Sequence, residues 1–270
     1  MSDNLKKLIT ELKKIAIDNK LCIAFSNGVD STVLLKVATI AGLDVLAITV
    51  NTQLTANKSD IEKAKIIAES MNAVYKTIDI NMLNDERISS NSELRCYYCK
   101  DKMFSKIKET AYKNDFLAVC DGTNFDDLKE YRPGLRAKSE NKIHSPLAQC
   151  NLSKNDVRNI AKELSLSVAT KPSSPCILTR FPYNTRITNN LILKTQDGEN
   201  ILKSYGFEDC RLRVHFEIAR IEIPKSEFEN FFKYKDEIIN KLKHLGFLYI
   251  TLDLEGLKTG SMDLNLRKEE

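Results

Sequence analysis

The strongest constraint on this chain is one junction: the apolar run Leu21-Cys22-Ile23-Ala24-Phe25 passes directly into Ser26-Asn27-Gly28-Val29-Asp30-Ser31-Thr32. Five apolar residues predict a buried strand, the Ser/Asn/Gly group a tight turn, and Val33, Leu34, Leu35, Val37 and Ala38 a helix. At such a junction hydroxyls and backbone N–H groups point outward, and the helix dipole adds positive potential. Both favour a phosphate chain in the turn, and Gly28 lets the backbone approach the anion. The chain has no Gly-Lys-Ser/Thr and no Gly-x-Gly-x-x-Gly, so this is neither a Walker loop nor a dinucleotide fingerprint. The same residues would also serve as an ordinary turn that caps a helix.

Strand and helix then alternate. Apolar spacing predicts a helix over 4–19, the loop strand over 21–25, its helix over 30–41, and strands over 44–50, 74–80 and 116–121. Helices are expected over 60–72 (capped by Ser59, with Glu62 completing a capping box), 99–114 and 156–164. The continuous apolar look of 44–50 is that of a strand covered on both faces. The expected fold is therefore α/β: a doubly wound parallel sheet, with ligands beyond the carboxyl ends of its strands. Composition changes at Lys171-Pro172-Ser173-Ser174-Pro175, and a smaller α+β pattern follows. It has helices over 190–205 and 226–243 and strands over 210–216, 218–223 and 246–252. The expectation is two domains, 1–178 and 179–270, with a boundary near 175–187.

The bulk properties narrow the setting. Lys and Arg (41) barely outnumber Asp and Glu (37), so the net charge of +4 gives no case for nucleic acid. No run of ~18 apolar residues is present and Met1–Lys7 lacks an apolar signal core, so a cytoplasmic protein without membrane contact is expected. Seven cysteines, an odd number, do not suggest a disulfide framework there. Cys22 and Cys120 lie in or beside apolar strands and read as small core residues. Cys96-Tyr97-Tyr98-Cys99, at the start of a helix, could be a redox dithiol, half of a zinc site or part of an iron–sulfur site. With Cys176 as a third thiolate and no evident fourth ligand, a [4Fe–4S] cluster with one open iron is one fit; structural zinc and plain thiols stay open.

Taken in order, several pieces resemble one family. They are Ser26-Asn27-Gly28-Val29-Asp30-Ser31, Arg95-Cys96-Tyr97-Tyr98-Cys99-Lys100, Asp121-Gly122-Thr123-Asn124-Phe125-Asp126-Asp127 and Arg132-Pro133-Gly134. The series continues with Ser145-Pro146-Leu147, Lys171–Cys176, Arg180-Phe181-Pro182-Tyr183, Arg211–His215 and Ala219–Glu222. The loop looks like a variant of the pyrophosphate loop of enzymes that split ATP between the α and β phosphates. The ordered set is similar to the LarE family, ATP-dependent sulfur insertases that help make the nickel-pincer cofactor of lactate racemase. One departure is Asn27 in place of a second loop glycine, a position where Asn can take positive φ.

The resemblance implies ATP, Mg2+ and a pyridinium mononucleotide dicarboxylate as substrate, with a sulfide donor and a homo-oligomeric enzyme. ATP and its cation would be held by Ser26, Gly28, Val29, Asp30, Ser31, Gly122, Thr123 and Asn124. Cys96, Cys99 and Cys176 would ligate the [4Fe–4S] cluster; family members with the last cysteine alone sacrifice its sulfur. Cys176, Asp30 and Arg180 are the candidate catalytic residues. Arg180, Arg211, Arg213 and Glu199 would meet substrate, Arg211 and Arg213 at its phosphate, with Glu199 able to hold a cation. Without the resemblance, Arg211 and Arg213 are a solvated strand face, Arg180 a loop ion pair, and Glu199 a solvated helical acid. A tRNA thiolation enzyme combines the same loop with three cysteines, but here no zinc-ribbon domain and no strongly basic surface accompany them. An amide-forming ligase would leave the cysteines unemployed, and a nucleotide-regulated cluster carrier is the non-enzymatic alternative.

Overall fold

The computed structural model describes residues 1–52, 54, 58–129, 133–170, 175–258 and 262. In chain order the elements are α1 (Asp3–Ile15), β1 (Lys20–Ala24), α2 (Val29–Ile40), β2 (Asp44–Asn51), α3 (Lys58–Ser70) and β3 (Val74–Asp79). Next come α4 (Glu86–Ser89), α5 (Arg95–Tyr112), β4 (Val119–Cys120), α6 (Pro133–Glu140), α7 (Pro146–Gln149) and α8 (Lys154–Glu163). The remainder is α9 (Asn189–Ser204), β5 (Arg211–His215), β6 (Ile218–Glu222), α10 (Phe228–His244) and β7 (Tyr249–Leu252). The chain divides into two compact units, Met1–Met82 with Cys96–Ser174, and Leu83–Arg95 with Pro175–Glu270.

The first unit is a parallel sheet in the order β3-β2-β1-β4. Alternate strand residues enter opposite cores. Leu21, Ile23, Val45 and Ala47 join the cluster built from α1, α2 and α8, while Cys22, Leu46 and Ile48 join Phe104, Ile107 and Ala111 of α5. A sheet buried on both faces is why these strands read as unbroken apolar runs. The α1 positions Leu5, Leu8, Leu12 and Ile15 supply its buried stripe, and Ser2 accepts from the Leu5 N–H to cap it. β1 lies between β2 and β4, so the connections leaving β1 and β4 diverge and open a crevice at the carboxyl ends.

Two local expectations shift. The strand expected over 116–121 is reduced to Val119–Cys120, because Phe116 N–H bonds back to Ala111 O (3.0 Å) and closes α5 after Asp115 at φ 61°. His144 extends it on the other side, its N–H donating to Val119 O and its carbonyl accepting from Asp121 N–H, both at 2.9 Å. Helix α3 begins at Lys58, so Ser59 lies inside the helix rather than at its cap.

The second unit is a three-stranded sheet, β5 antiparallel to β6 and β6 parallel to β7. Buried Leu212, Val214, Ala219 and Ile221 form one face. The register pairs Arg211 with Glu222 and Arg213 with Arg220, which puts those charged residues on the other face. α9 packs so closely on the apolar face that a Cβ on Gly198 would fall 2.3 Å from Leu212 Cδ2 and 3.3 Å from Leu242 Cδ2. The segment 83–95 is tied in by Asn91, at φ 55°, whose Nδ2 donates to Pro182 O (2.8 Å) and whose carbonyl accepts from Asn184 N–H (3.1 Å). Among the described residues no helix is long and apolar enough to cross a membrane.

The fit at Gly198 yields a direct expectation. Gly198→Ala overpacks the α9–β5 contact and should lower stability by about 1–3 kcal/mol in urea denaturation, despite alanine's better helix propensity.

Candidate active site

The loop after β1 is held by its own hydroxyls. Ser26 N–H donates to Ser31 Oγ (3.2 Å), the two serine Oγ atoms lie 3.1 Å apart, and Ser31 Oγ donates to Gly28 O (3.3 Å). Behind it, the Thr49 hydroxyl donates to Phe25 O (2.8 Å) and fixes the strand's end. Asn27 is buried at φ 57°, the left-handed backbone its side chain tolerates. The N-cap Gly28 and the next residues Val29, Asp30 and Ser31 present N–H groups with no partner within the helix, and Thr32 N–H is the first to be engaged, by Gly28 O at 3.0 Å. Hydroxyls and N–H groups thus converge as the sequence suggested, and they can receive an anion.

The turn after β4 meets this loop. A Cβ on Gly122 would lie 3.1 Å from Asp30 Cβ and 3.1 Å from Ser31 N, so only glycine allows the approach without displacement. Asn124 Nδ2 donates to Asp30 Oδ1 (3.3 Å). Asp121 is buried and saturated: it accepts from Thr123 N–H (3.2 Å), Thr123 Oγ1 (2.6 Å) and Ser145 Oγ (2.5 Å). That last contact gives the Ser145-Pro146-Leu147 motif a structural task. Burial pushes the Asp30 carboxyl above its ordinary range and the Asp127 charge acts the same way, against the Asn124 hydrogen bond and Lys154. Asp127 and Lys154 carried no role in the sequence reading. Their neighbourhood exists only once the β4 turn and the start of α8 are folded together.

The seven thiols separate by environment. Cys22, Cys120, Cys150 and Cys210 are buried. Burial raises all four, far up for Cys22 and Cys120 and to about 12 for Cys210. Cys96 is exposed and Cys99 half-buried on successive turns of α5, in the first unit; Cys176 is half-buried just before the short helix Ile177–Arg180, in the second. Helix α6 approaches the first turns of α5 at Gly134, where a Cβ would lie 3.0 Å from Lys100 Cγ and 3.7 Å from Cys96 O. Tyr97 Oη and Arg136 Nε both donate to Glu140 (2.5 and 2.8 Å). Among the described residues, neither unit by itself gathers three His, Cys, Asp or Glu side chains into a metal-holding group. Arg132 and Lys171–Ser174 of the motif series lie outside the described residues.

In the second unit most of the candidate charged residues are already paired. Arg180 Nε donates to Glu199 Oε1 (2.6 Å), Arg180 Nη2 to Glu199 Oε2 (3.3 Å), and Leu212 N–H to Glu199 Oε1 (3.1 Å). Glu199 is thus a buried partner rather than a solvated helical acid. Arg213 Nη2 donates to Glu222 Oε2 (2.8 Å) and Nη1 to Thr179 O (2.7 Å); Arg220 reaches Glu222 (3.3 Å) and Asp253 (2.7 Å). Arg211 differs: it is half-buried, donates to Cys210 O (2.6 Å), and has no carboxylate partner among the described residues. Burial and then the nearby Arg180 act against its charge. Among the described residues Arg211 is thus the arginine of this face without a carboxylate ion pair, and the Glu199 charge favours its ionised form from a distance. Glu222, fully buried beneath two arginines, was quoted in the sequence only as part of a motif; its burial is a tertiary property.

The profile of the Queuosine biosynthesis protein QueC family matches residues 20–95, the stretch that contains β1, the loop and α2. Nearly the whole chain aligns with the pyridinium-3,5-bisthiocarboxylic acid mononucleotide synthase of Lactiplantibacillus plantarum, at 36% identity over 97% of this chain and 95% of that protein. The chain belongs to the LarE family. An uncharacterized protein of Synechocystis sp. is 34% identical over 98% of both chains, and one of Methanocaldococcus jannaschii is 36% identical over 93% of this chain and 97% of its own. These alignments run through both units, so the LarE resemblance is not confined to the ATP-loop fold.

Two expectations follow from the site. An Asp whose native pKa is raised ionises at a cost to the fold, so stability falls as pH rises from below the unfolded value through the native one. Asp30→Asn should therefore melt higher than wild type at pH 7, with the difference vanishing near pH 3, in parallel thermal scans. Alkylation of the reduced, metal-free protein under native conditions should label Cys96, Cys99 and Cys176 first and spare the four buried thiols, as read by peptide mass spectrometry.

Proposed function

We propose that this LarE-family protein uses ATP to adenylylate a carboxylate of a pyridinium dicarboxylate mononucleotide and then replaces that oxygen by sulfur. The observation that carries the reading is the meeting of the Ser26–Ser31 loop with the Asp121–Asn124 turn at the carboxyl end of a parallel sheet. In the first step a substrate carboxylate oxygen attacks the α-phosphorus, the bond to the bridging oxygen breaks, and pyrophosphate leaves. Ser26, Ser31 and the N–H groups around Gly28 and Val29 receive the phosphates, where fixed donors offset the charge that develops on the leaving group. Gly122, Thr123 and Asn124 border the nucleotide. Asp30 offers the hard carboxylate oxygen that Mg2+ prefers, and the buried Thr32 Oγ1 without a hydrogen-bond partner marks further unspent polarity in that turn. In the second step a sulfur nucleophile attacks the acyl carbon and AMP departs, a far better leaving group than oxide.

On the second unit, Arg211, without a carboxylate partner among the described residues, would meet the substrate phosphate, and Arg213 lies beside it, its fork pre-oriented by Glu222 and Thr179 O. Arg180, oriented by Glu199, would meet a substrate carboxylate. The donor set for a [4Fe–4S] cluster is Cys96, Cys99 and Cys176; the partition of the thiols supports it, since the other four are buried. Such a cluster would supply sulfide at the iron that no cysteine ligates. The protein would act in the cytoplasm as a homo-oligomer on this small molecule with a separate sulfide donor.

Anaerobic incubation with ATP, the pyridinium dicarboxylate mononucleotide and sulfide should give a thiocarboxylate product by mass spectrometry, with one pyrophosphate released per sulfur inserted. Cys176→Ala should abolish the thiocarboxylate while pyrophosphate release persists. Pyrophosphate release that ignores the pyridinium substrate would overturn the assignment. Product formed with Cys176 converted to dehydroalanine would locate the sulfur in that residue instead.

A further inference from the structure

The contacts that begin at Asp30 continue past Asn124. Asn124 is buried and engages three of its polar atoms: Nδ2 donates to Asp30 Oδ1 (3.3 Å), Oδ1 accepts from Asp127 N–H (3.1 Å), and its own N–H donates to Asp127 Oδ2 (3.2 Å). The other Asp127 oxygen, Oδ1, lies 3.3 Å from Lys154 Nζ at the start of α8. Asp126 Oδ2 accepts the Lys154 N–H at 2.8 Å, so both acids of the Asp126-Asp127 pair engage the same helical residue. That helix end is itself fixed by the reciprocal Ser153–Asp156 capping box. A continuous brace thus runs from a rigid helix terminus through Asp127 and Asn124 to the carboxylate of the phosphate loop.

We propose that Asp127 is a positioning residue for ATP binding: its carboxylate holds the Asn124 N–H, and with it the turn from which the Asn124 carboxamide aims the Asp30 carboxylate at the divalent cation carried by the triphosphate. The inference rests on the reading that ATP with such a cation occupies the loop. In this arrangement Asp127 acts through Asn124. Its geometry fits the part. The Asn124 carboxamide is turned toward Asp30 by the Asp127 backbone N–H, and the Asp127 carboxylate, bonded to the Asn124 N–H and to Lys154, fixes the turn in which that contact is made. A purely electrostatic role has the opposite sign, because removing a carboxylate near a polyphosphate would strengthen binding.

Calorimetric titration of the full chain with Mg·ATP and with AMP separates these cases. Asp127→Ala should bind Mg·ATP about tenfold more weakly, the scale of a hydrogen-bond network ending on a charged group, and AMP as wild type does. Asp127→Asn keeps an acceptor for the Asn124 N–H and should recover most of the loss. Should Asp127→Ala fail to fold, Asp127→Leu, of similar size and without an acceptor, carries the same test and should show the same selective loss. Equal losses for both ligands, tighter Mg·ATP binding in both Asp127 variants, or no change would each overturn the proposal. A wild-type protein that binds no Mg·ATP overturns the reading of the loop, and the proposal with it.

Discussion

The ATP half of the site depends on a missing side chain. At Gly122 two turns from different strands come closer than a methyl group comfortably permits, with the Asp30 side chain and the Ser31 nitrogen on the far side. The parallel order β3-β2-β1-β4 creates the gap, since β1 and β4 are neighbours whose following segments turn away from each other. The glycine then lets the backbone of one segment lie against the first turn of α2. Close packing of two backbones, rather than any one charged residue, is what brings Asp30 within reach of Asn124.

The second unit solves a different problem. A sheet face bearing several arginines has to survive without its ligand, and unpaired guanidinium groups at that depth would be expensive. Glu222 serves Arg213 and Arg220, Glu199 serves Arg180, and Asp253 takes the far side of Arg220. Among the described residues the result is a largely paired, pre-oriented array in which Arg211 has no carboxylate partner. Preorganisation of this kind lets an incoming anion meet donors that are already in place instead of ordering them on arrival.

Much of this was legible from residues alone, for identifiable reasons. β1 and β2 could be read because burial on both faces leaves unbroken apolar runs, and α1 because its apolar stripe keeps helical spacing. The loop declared itself through its residue types: glycine beside serines, and an asparagine where φ is positive. What could not be read depends on distant partners. Phe116 looks like a strand residue until its N–H is claimed by Ala111, and nothing local marks Leu83–Arg95 as belonging with residues beyond 174. The Asp127–Lys154 pair spans 27 positions of sequence, and the depth of Glu222 appears only after β5, β6 and their neighbours are assembled.

The asparagine of the phosphate loop has a chemical consequence of its own. Asn27 is followed by Gly28, and in a slack chain an Asn-Gly pair is prone to cyclise, its glycine nitrogen attacking the side-chain carbonyl and expelling ammonia. In the folded protein that nitrogen belongs to the N-cap residue just before α2, and the buried Asn27 backbone is held in the left-handed region. Opening of the resulting ring would leave an aspartyl or a β-linked residue there, the latter one backbone atom longer. The pair is thus a built-in ageing clock, and the rigidity of the turn is what keeps it from running.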